Sequence, residues 1–549
     1  MSPSATWFVI DFEPLGRRIT TGPEETLLDA AQSAGVGLQA ICGGAGICGT
    51  CLVRRMSGEL SPPTSLELAE LSAEDLSDGC RLACQARPLG DLRVDVPPDS
   101  LTAPQRLQVE ARGGALGPEV LTGVGEAARQ GLGLAIDLGT TKVAAYLVDL
   151  PSGRTLAMGG VMNPQIAYGE DIISRIAWAG RDRSRRRLLQ TRLIDALNNL
   201  VNELCLGVGV RAGDVVEAVA VGNTVMHHLF AGLEVAQLGV APYRPALCEP
   251  LVLSATELHL SLAPEATIYL PPNIAGYVGG DHVATLLASG ADEAADVRLI
   301  VDIGTNTEVS LLRLGQLLSC SCPSGPAFEG AHISAGMRAA PGAIERVRIV
   351  NGQVLHSTIG AVRPRGICGS GILDAVAEMV RAGVLNRRGA LLRNAAGVRV
   401  RNGQAEFLLV PGGSPGQERE IVITRRDVNE IQLAKAAVRT GIDTMLDLGG
   451  VARDEIQNVF LAGAFGTYLD VRSAIAIGMF PPLPVERFHQ VGNAAGLGAR
   501  QMLVSIERRR RAEHMARRAR YVELSGSSGF TRRFIHSVSF EAAAPEGAP

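Results

Sequence analysis

Cys42, Cys48 and Cys51 fall within the run CGGAGICGTC, and Cys84 follows 33 residues after Cys51. Three thiolates on one tight loop with a distant fourth match the ligand pattern of a plant-type 2Fe–2S centre, whose reference spacing is C-x4-C-x2-C. Here the first gap is five residues, which widens the loop and leaves the ligand count intact. Gly43, Gly44, Gly46 and Gly49 suit the same chemistry, because backbone N–H groups must turn toward sulfur without a Cβ in the way. Tetrahedral zinc, which four thiolates also hold, is the competing reading. It is disfavoured because zinc knuckles pair two short C-x2-C units, whereas one loop supplies three ligands here. Cys80, four residues before Cys84, leaves the fourth ligand ambiguous on spacing alone.

A second chemistry occurs twice. LAIDLGTTKVAAYLV (134–148) and LIVDIGTNTEVSLLR (299–313) superpose residue for residue around Asp137 and Asp302. In each, an apolar strand ends at an Asp, a Gly-Thr turn follows and a second strand returns. Gly139 and Gly304 let backbone N–H groups approach phosphate oxygens, Thr140, Thr141, Thr305 and Asn306 add polar groups, and the two Asp residues hold Mg2+, often through water. One D-x-G-T string is weak; two in matching strand contexts, 165 residues apart, are much stronger. Lys142 is one of only two lysines, with Lys435, and a compact ammonium there can reach phosphate oxygens. VAVGNTVMHHLF (219–230) and VFLAGAFGTYL (459–469) are a second matched pair, each reading as strand, Gly-containing turn and helix. Asp281, in VGGD, and Glu308 are the catalytic candidates for water or metal activation, and Ser370 is expected to cap a helix beginning near Ile372.

The elements that must position these residues follow from length and pattern. At 549 residues the chain exceeds what one hydrophobic core supports. Residues 1–97 read as a small α+β unit: strands at 7–12, 17–21, 50–55, 81–86 and 92–96, a helix at 25–34 ended by Gly35, and a helical stretch at 65–76. A Gly-rich linker is expected at 98–130, then alternating strands and helices in two related halves, 131–297 and 298–541, and a disordered tail at 542–549. The runs Arg183–Arg187 and Arg508–Arg511 read as solvated helix faces. A net charge of −4 with 46% apolar residues argues against a nucleic-acid partner, and no stretch approaches a membrane span, so a soluble cytoplasmic protein is expected. In that reducing compartment Cys205, Cys248, Cys320, Cys322 and Cys368 are expected as small buried hydrophobes.

The D-L-G-T-T-K and D-I-G-T-N strings resemble the two phosphate motifs of the actin, sugar-kinase and heat-shock-chaperone ATPase superfamily. V-F-L-A-G-A-F with Gly466 resembles its adenosine motif, with Gly463 and Gly466 admitting base and ribose. R-L-A-C-Q resembles the fourth-ligand segment of vertebrate-type ferredoxins, which favours Cys84 and leaves Cys80 as a packed thiol. With Asn163-Pro164-Gln165, Tyr168-Gly169-Glu170-Asp171, Val221-Gly222-Asn223-Thr224 and Tyr521-Val522-Glu523-Leu524 added, nearly the whole chain resembles the reductive activators of corrinoid proteins. The resemblance implies an α/β multidomain fold: a β-grasp ferredoxin domain, a linker and a duplicated actin-like (ribonuclease H-like) α/β ATPase. It also implies a 2Fe–2S cluster, ATP and Mg2+ as cofactors, and one-electron reduction of a corrinoid methyltransferase protein from Co(II) to Co(I). Plant-type clusters sit at about −400 mV, and each ~59 mV of deficit costs a factor of ten, so ATP is needed if cobalt lies lower. The G-x-G-x-x-G at 44–49 lies inside the cluster loop and joins no strand to a helix, so an external reductase must load the cluster. A small-molecule kinase and a redox-sensing, chaperone-like ATPase are the alternatives, and the oligomeric state, homodimer included, is open.

Overall fold

The computed structural model describes residues 7–540 apart from 14–16, 35, 41, 43, 98, 99, 101–130, 170, 292, 294, 331, 413–419 and 528. The features expected at Gly35 and Gly43, in the linker and in the tail 542–549 lie outside the described residues.

Alternating apolar positions such as Ile10 and Phe12 put one face of strand β1 (Phe8–Glu13) into a core, and β2 (Arg17–Thr21) pairs with it antiparallel. With β3 (Leu52–Ser57), β4 (Cys80–Leu82) and β5 (Leu92–Asp95) they form a sheet of order β2-β1-β5-β3-β4, in which β1 and β5 run parallel. Helix Leu27–Ser33 starts at a Thr26–Asp29 capping box and lays Leu27, Leu28, Ala30 and Ala31 in the same core as Val53, Leu82 and Val94. This is a β-grasp sheet. The single helix expected over 65–76 is two, Ser65–Glu70 and Ala73–Ser77, because Ser72 opens a capping box of its own with Asp75. The strand expected over 81–86 stops at Leu82 and the chain turns through Cys84. Buried Glu67 ties that turn down, accepting from Arg81 Nε and Nη2, each at 2.9 Å, and from the Leu82 N–H at 3.1 Å.

The repeat becomes two matching sheets. Strands β6 (Leu132–Leu138), β7 (Lys142–Asp149), β8 (Arg154–Met162), β9 (Val215–Gly222), β10 (Leu251–Ser254) and β11 (Thr267–Leu270) give the order β10-β11-β9-β6-β7-β8. The second half opens with β12 (Arg298–Ile303), β13 (Thr307–Arg313) and β14 (Gln316–Cys322). It then carries two three-stranded sheets, one of β15 (Ala343–Val350), β16 (Gln353–Thr358) and β17 (Gly366–Ile367), the other of β18 (Val398–Arg401), β19 (Gln404–Val410) and β20 (Ile421–Thr424). Finally β21 (Asn458–Ala462), β22 (Phe488–Gly492) and β23 (Arg520–Tyr521) complete the order β22-β21-β12-β13-β14-β23. In both sheets the strand carrying the Asp pairs antiparallel with its hairpin partner and parallel with a later strand. Asp137 faces Ala144 and Val221; Asp302 faces Glu308 and Ala462.

Two helices, Gly280–Ala288 and Ala494–Val504, pack in one core with residues of both sheets, among them Ala135, Tyr146 and Val219 of the first and Ile300, Leu312 and Phe460 of the second. They cross where Gly498 meets Ala284, so closely that a Cβ on Gly498 would lie 2.1 Å from the Ala284 carbonyl oxygen.

Some surface expectations are corrected. Arg186 turns inward to pair with Glu234 at 2.6 Å, and Arg509 pairs with Glu217 at 2.6 Å and lies over the Tyr269 ring, so neither arginine run is purely solvated. Cys205, Cys320, Cys322 and Cys368 are buried, but Cys248 is exposed. Lys435, the second lysine, is buried and anchors the C-terminal segment, donating to the Ser539 carbonyl at 2.7 Å beside the Phe540 ring.

Replacing Gly498 by Val should cost about 1–3 kcal/mol in denaturant unfolding, since the added carbons meet backbone. Gly207→Ala, at an exposed helix position with nothing within 4 Å of the new carbon, should be neutral or stabilising. Equal effects of the two would refute the close crossing.

Candidate functional site

The turn that shortened β4 brings Cys84 under the 42–51 loop. There the four thiols pair two and two: Cys48 Sγ lies 3.3 Å from Cys42 Sγ, and Cys51 hydrogen-bonds Cys84. Backbone N–H groups of Gly44, Gly46 and Ile47 point at the Cys42 sulfur, and Gly44, Gly46 and Gly49 reach that arrangement with positive φ. The hydrogen bond from Cys48, more than those backbone donors, holds the Cys42 thiol down at about 5, and the same bond pushes Cys48 well up. Likewise the bond between Cys51 and Cys84 raises the first and lowers the second. The arrangement fits two irons with two thiolates each better than one tetrahedral ion with four. Among the described residues, no three His, Cys, Asp or Glu side chains gather as they would around a single ion. Cys80 stands apart; burial raises its thiol and its charged neighbours are Asp75, Arg54, Asp78 and Asp95. The Cys42/Cys48 pair is the outer one, half-buried next to an exposed Ile47, while Cys51 and Cys84 are buried.

The second site is a cavity of about 320 Å³ between the two six-stranded sheets. Asp137, Gly139, Thr140, Thr141, Lys142, Asp281, Asp302, Gly304, Thr305, Asn306, Glu308 and Gly463 all line it. Gly466 does not; it sits one turn into helix Gly463–Tyr468, where its carbonyl accepts from Gln490 at 2.7 Å. Ser370 lines the cavity from the first turn of helix Gly369–Arg381, whose N-cap is Cys368, so it does not cap that helix as expected.

Residues the motifs did not point to hold the loops in place. Asn163 donates to the Gly139 carbonyl at 2.9 Å and Asn223 to the Thr140 hydroxyl at 2.8 Å. Arg175, fully buried, donates to the Thr140 carbonyl at 2.6 Å. Asn163 and Asn223 stand in strings of the family resemblance; for Arg175 the available signal was a lone charge on the mostly apolar helix Ile172–Ala179. Each Asp is held from the far half. Asn493 donates to Asp137 at 2.8 Å, and Thr285 donates to Asp302 at 2.8 Å. Phe328 and Phe465 stack at 4.7 Å along the wall.

Six carboxyls line this cavity, among them the partly buried Asp137, Asp281, Asp302 and Glu308. Burial first, and then the neighbouring carboxylates, pushes Asp281 up to about 8; burial raises Asp137 to about 7, Asp302 to about 6 and Glu308 far above the usual range. Lys142 is pulled down by burial, against the favourable charge of Glu329.

The sign of the resulting pH dependence is fixed. With its folded value near 8 and an unfolded value of 3.8, Asp281 keeps its proton in the fold while the unfolded chain has lost it. The stability this contributes is complete below pH 3.8 and is lost as pH rises toward 8. Without nucleotide or divalent cation, Asp281→Asn should therefore gain stability over the parent between pH 6 and 8, by at most ~1.4 kcal/mol per pH unit. A difference that stays flat in paired melts would remove the buried-acid picture.

Comparison with known proteins finds family matches along three stretches of the chain. Residues 10–89 match the 2Fe–2S iron-sulfur cluster binding domain, residues 132–294 the RACo middle region, and residues 296–547 the C-terminal domain of RACo, the ASKHA domain. A curated relative, the corrinoid activation enzyme RamQ of Eubacterium limosum, is 30% identical over 96% of this chain and 98% of its own. The [Co(II) methylated amine-specific corrinoid protein] reductase of Methanosarcina barkeri is 24% identical over 74% of this chain and 77% of its own. The solved structure of a reductive activator for corrinoid, iron-sulfur protein superposes with a TM-score of 0.68 at 32% identity, covering 98% of this chain and 99% of that one. With paired thiols at one end, a duplicated acid-lined cavity at the other and likeness along nearly its full length, this chain belongs to the RACo family of reductive activators of corrinoid proteins.

Proposed function

We propose that this protein uses ATP to pass one electron from a 2Fe–2S centre to the Co(II) of a corrinoid methyltransferase protein, leaving the cluster oxidised and the cobalt as Co(I). The observation that carries the reading is the two-and-two pairing of thiols on a β-grasp sheet, in one chain with an acid-rich cavity shared by two repeated halves. Cys42 and Cys48 would hold one iron and Cys51 and Cys84 the other, with residues 1–97 as the electron-carrying unit. The cluster, when bound, supplies a one-electron carrier of low potential. Cys42 and Cys48 lie toward solvent, the side from which an electron reaches a partner.

Residues 131–297 and 298–541 would close on ATP, its phosphates against Gly139-Thr140-Thr141-Lys142 and Gly304-Thr305-Asn306, and its adenosine beside Gly463 and Gly466. Mg2+ keeps several of its waters, so Asp137 and Asp302 would reach it through them, which agrees with the absence of a tight three-ligand set among the described residues. Its charge would displace the protons that burial otherwise retains. Asp281 and Glu308, with raised proton affinity, would take the proton of the attacking water. An external reductase would load the cluster and a corrinoid protein would unload it; the names of the relatives support the corrinoid partner. No described helix is long and apolar enough to cross a membrane; a cytoplasmic setting fits free thiols and a low-potential donor.

The test is anaerobic. Reduced protein, ATP, Mg2+ and a corrinoid protein are mixed and the Co(II) absorbance followed. Cys48→Ser should abolish the loss of Co(II) while ATP binding persists, and Asp302→Asn or omission of Mg2+ should slow it roughly tenfold or more. Metal analysis showing zinc without iron, or Co(II) that is consumed equally well without ATP, would sink the reading.

A further inference from the structure

One side chain outside both phosphate motifs joins them. Glu329 closes the short helical turn Pro326–Glu329 on the second half and reaches across the cavity. Its Oε2 accepts from the Thr141 hydroxyl of the first loop at 3.0 Å, and its Oε1 accepts from the Thr305 hydroxyl of the second at 2.7 Å. It is also close enough to Lys142 to favour the charged ammonium. A single carboxylate thus engages one hydroxyl from each loop and faces the lysine between them, the donor set those loops would offer to a terminal phosphate. The backbone behind it is held, since Phe328 stacks on Phe465 and the Gly330 N–H donates to the Ala327 carbonyl at 3.0 Å. The Glu329 side chain itself is only half-buried and can rotate away.

We infer that Glu329 is a positioning residue that stands in for the terminal phosphate of ATP, bridging Thr141 and Thr305 while the cavity holds no nucleotide and swinging out when phosphate enters. This rests on the phosphate-loop reading above. The bridge keeps the two loops at a spacing that fits phosphate, so little reorganisation is left for ATP. It also makes ATP compete with a resident anion, and a nucleotide shifts such an equilibrium only by its differential affinity for the two states. Adenosine, which lacks phosphates, has no reason to disturb Glu329.

The experiment measures binding of ATP with Mg2+ and of adenosine by calorimetry in the full chain, in Glu329→Ala and in Glu329→Gln, with ATPase kcat and KM alongside. Glu329→Ala should bind ATP roughly three- to tenfold more tightly, through loss of like-charge repulsion, with adenosine unmoved. Glu329→Gln, which keeps the size and one acceptor, should lie between Ala and the parent, and thermal melts without nucleotide show that both variants fold. Weaker ATP binding by either variant, an equal gain for adenosine, or a fall in kcat with no gain in affinity would overturn the inference; the last would make Glu329 a base or metal-water ligand. If the parent itself binds no ATP, the nucleotide-site reading fails first, and that result is distinct from a parent that binds and a variant that binds worse.

Discussion

Neither Asp-Gly-Thr loop is complete within its own half. Asp137 is held by Asn493, which arrives from the second half, and Asp302 is held by Thr285, which arrives from the first. The helices that begin just beyond Asn493 and that carry Thr285 cross at Gly498 and Ala284, at a separation that only a missing side chain allows. The contacts that span the cavity from one half to the other depend on that crossing: the hold of each Asp from the far half, and the reach of Glu329 from one loop to the other. A hinge between halves can therefore move the loops relative to each other only by sliding or tilting these two helices, because interiors at this density do not deform continuously.

The same crossing concentrates charge. Bringing Asp137, Asp281, Asp302 and Glu308 together in partly buried positions is unfavourable for every ionised form, and the proton affinity of each is raised. Lys142 is the one lysine at hand, and burial works against its charge too. Local rules broken without internal compensation are the usual mark of a functional site.

How much of this could be read beforehand depended on whether a residue acts through local backbone or through distant packing. The cluster loop was legible because glycine and cysteine spacing is itself the structure: positive φ at Gly44, Gly46 and Gly49 and sulfurs at fixed offsets. The repeated hairpins were legible for the same reason, an apolar strand ending in Asp and Gly. Ser72 and Asp75 were a visible capping signal that the longer helical pattern obscured, so one helix was expected where two form. Asn493, Thr285 and Glu329 were not legible. They lie well outside the strings that carry the loops: Asn493 and Thr285 belong to the two crossing helices, and Glu329 to the separate turn Pro326–Glu329. Lysine scarcity pointed equally to Lys142 and Lys435, yet only the first lines the cavity; the second secures the chain's end against the helix Arg425–Gly449.

The paired thiols and the acid-lined cavity are separate, so any influence of one on the other must cross packed protein. A short route exists. Gln32, on the helix behind the cluster sheet, donates to the Ala167 carbonyl and accepts from Arg192 at 3.2 Å. Ala167 belongs to the turn Pro164–Tyr168, whose N-cap, Asn163, grips the Gly139 carbonyl of the first phosphate loop. Contiguity of this kind transmits nothing by itself; it matters only where ATP favours one of two arrangements of the linking element. The bonds locate where such a difference must arise. Gly139 and Thr140 have their carbonyls held from behind by Asn163 and Arg175, so any displacement of that loop works directly against the turn that carries Ala167. Coupling between nucleotide and cluster domain, if ATP produces it, is then a tug across one turn of backbone, with the helix crossing as its fixed support.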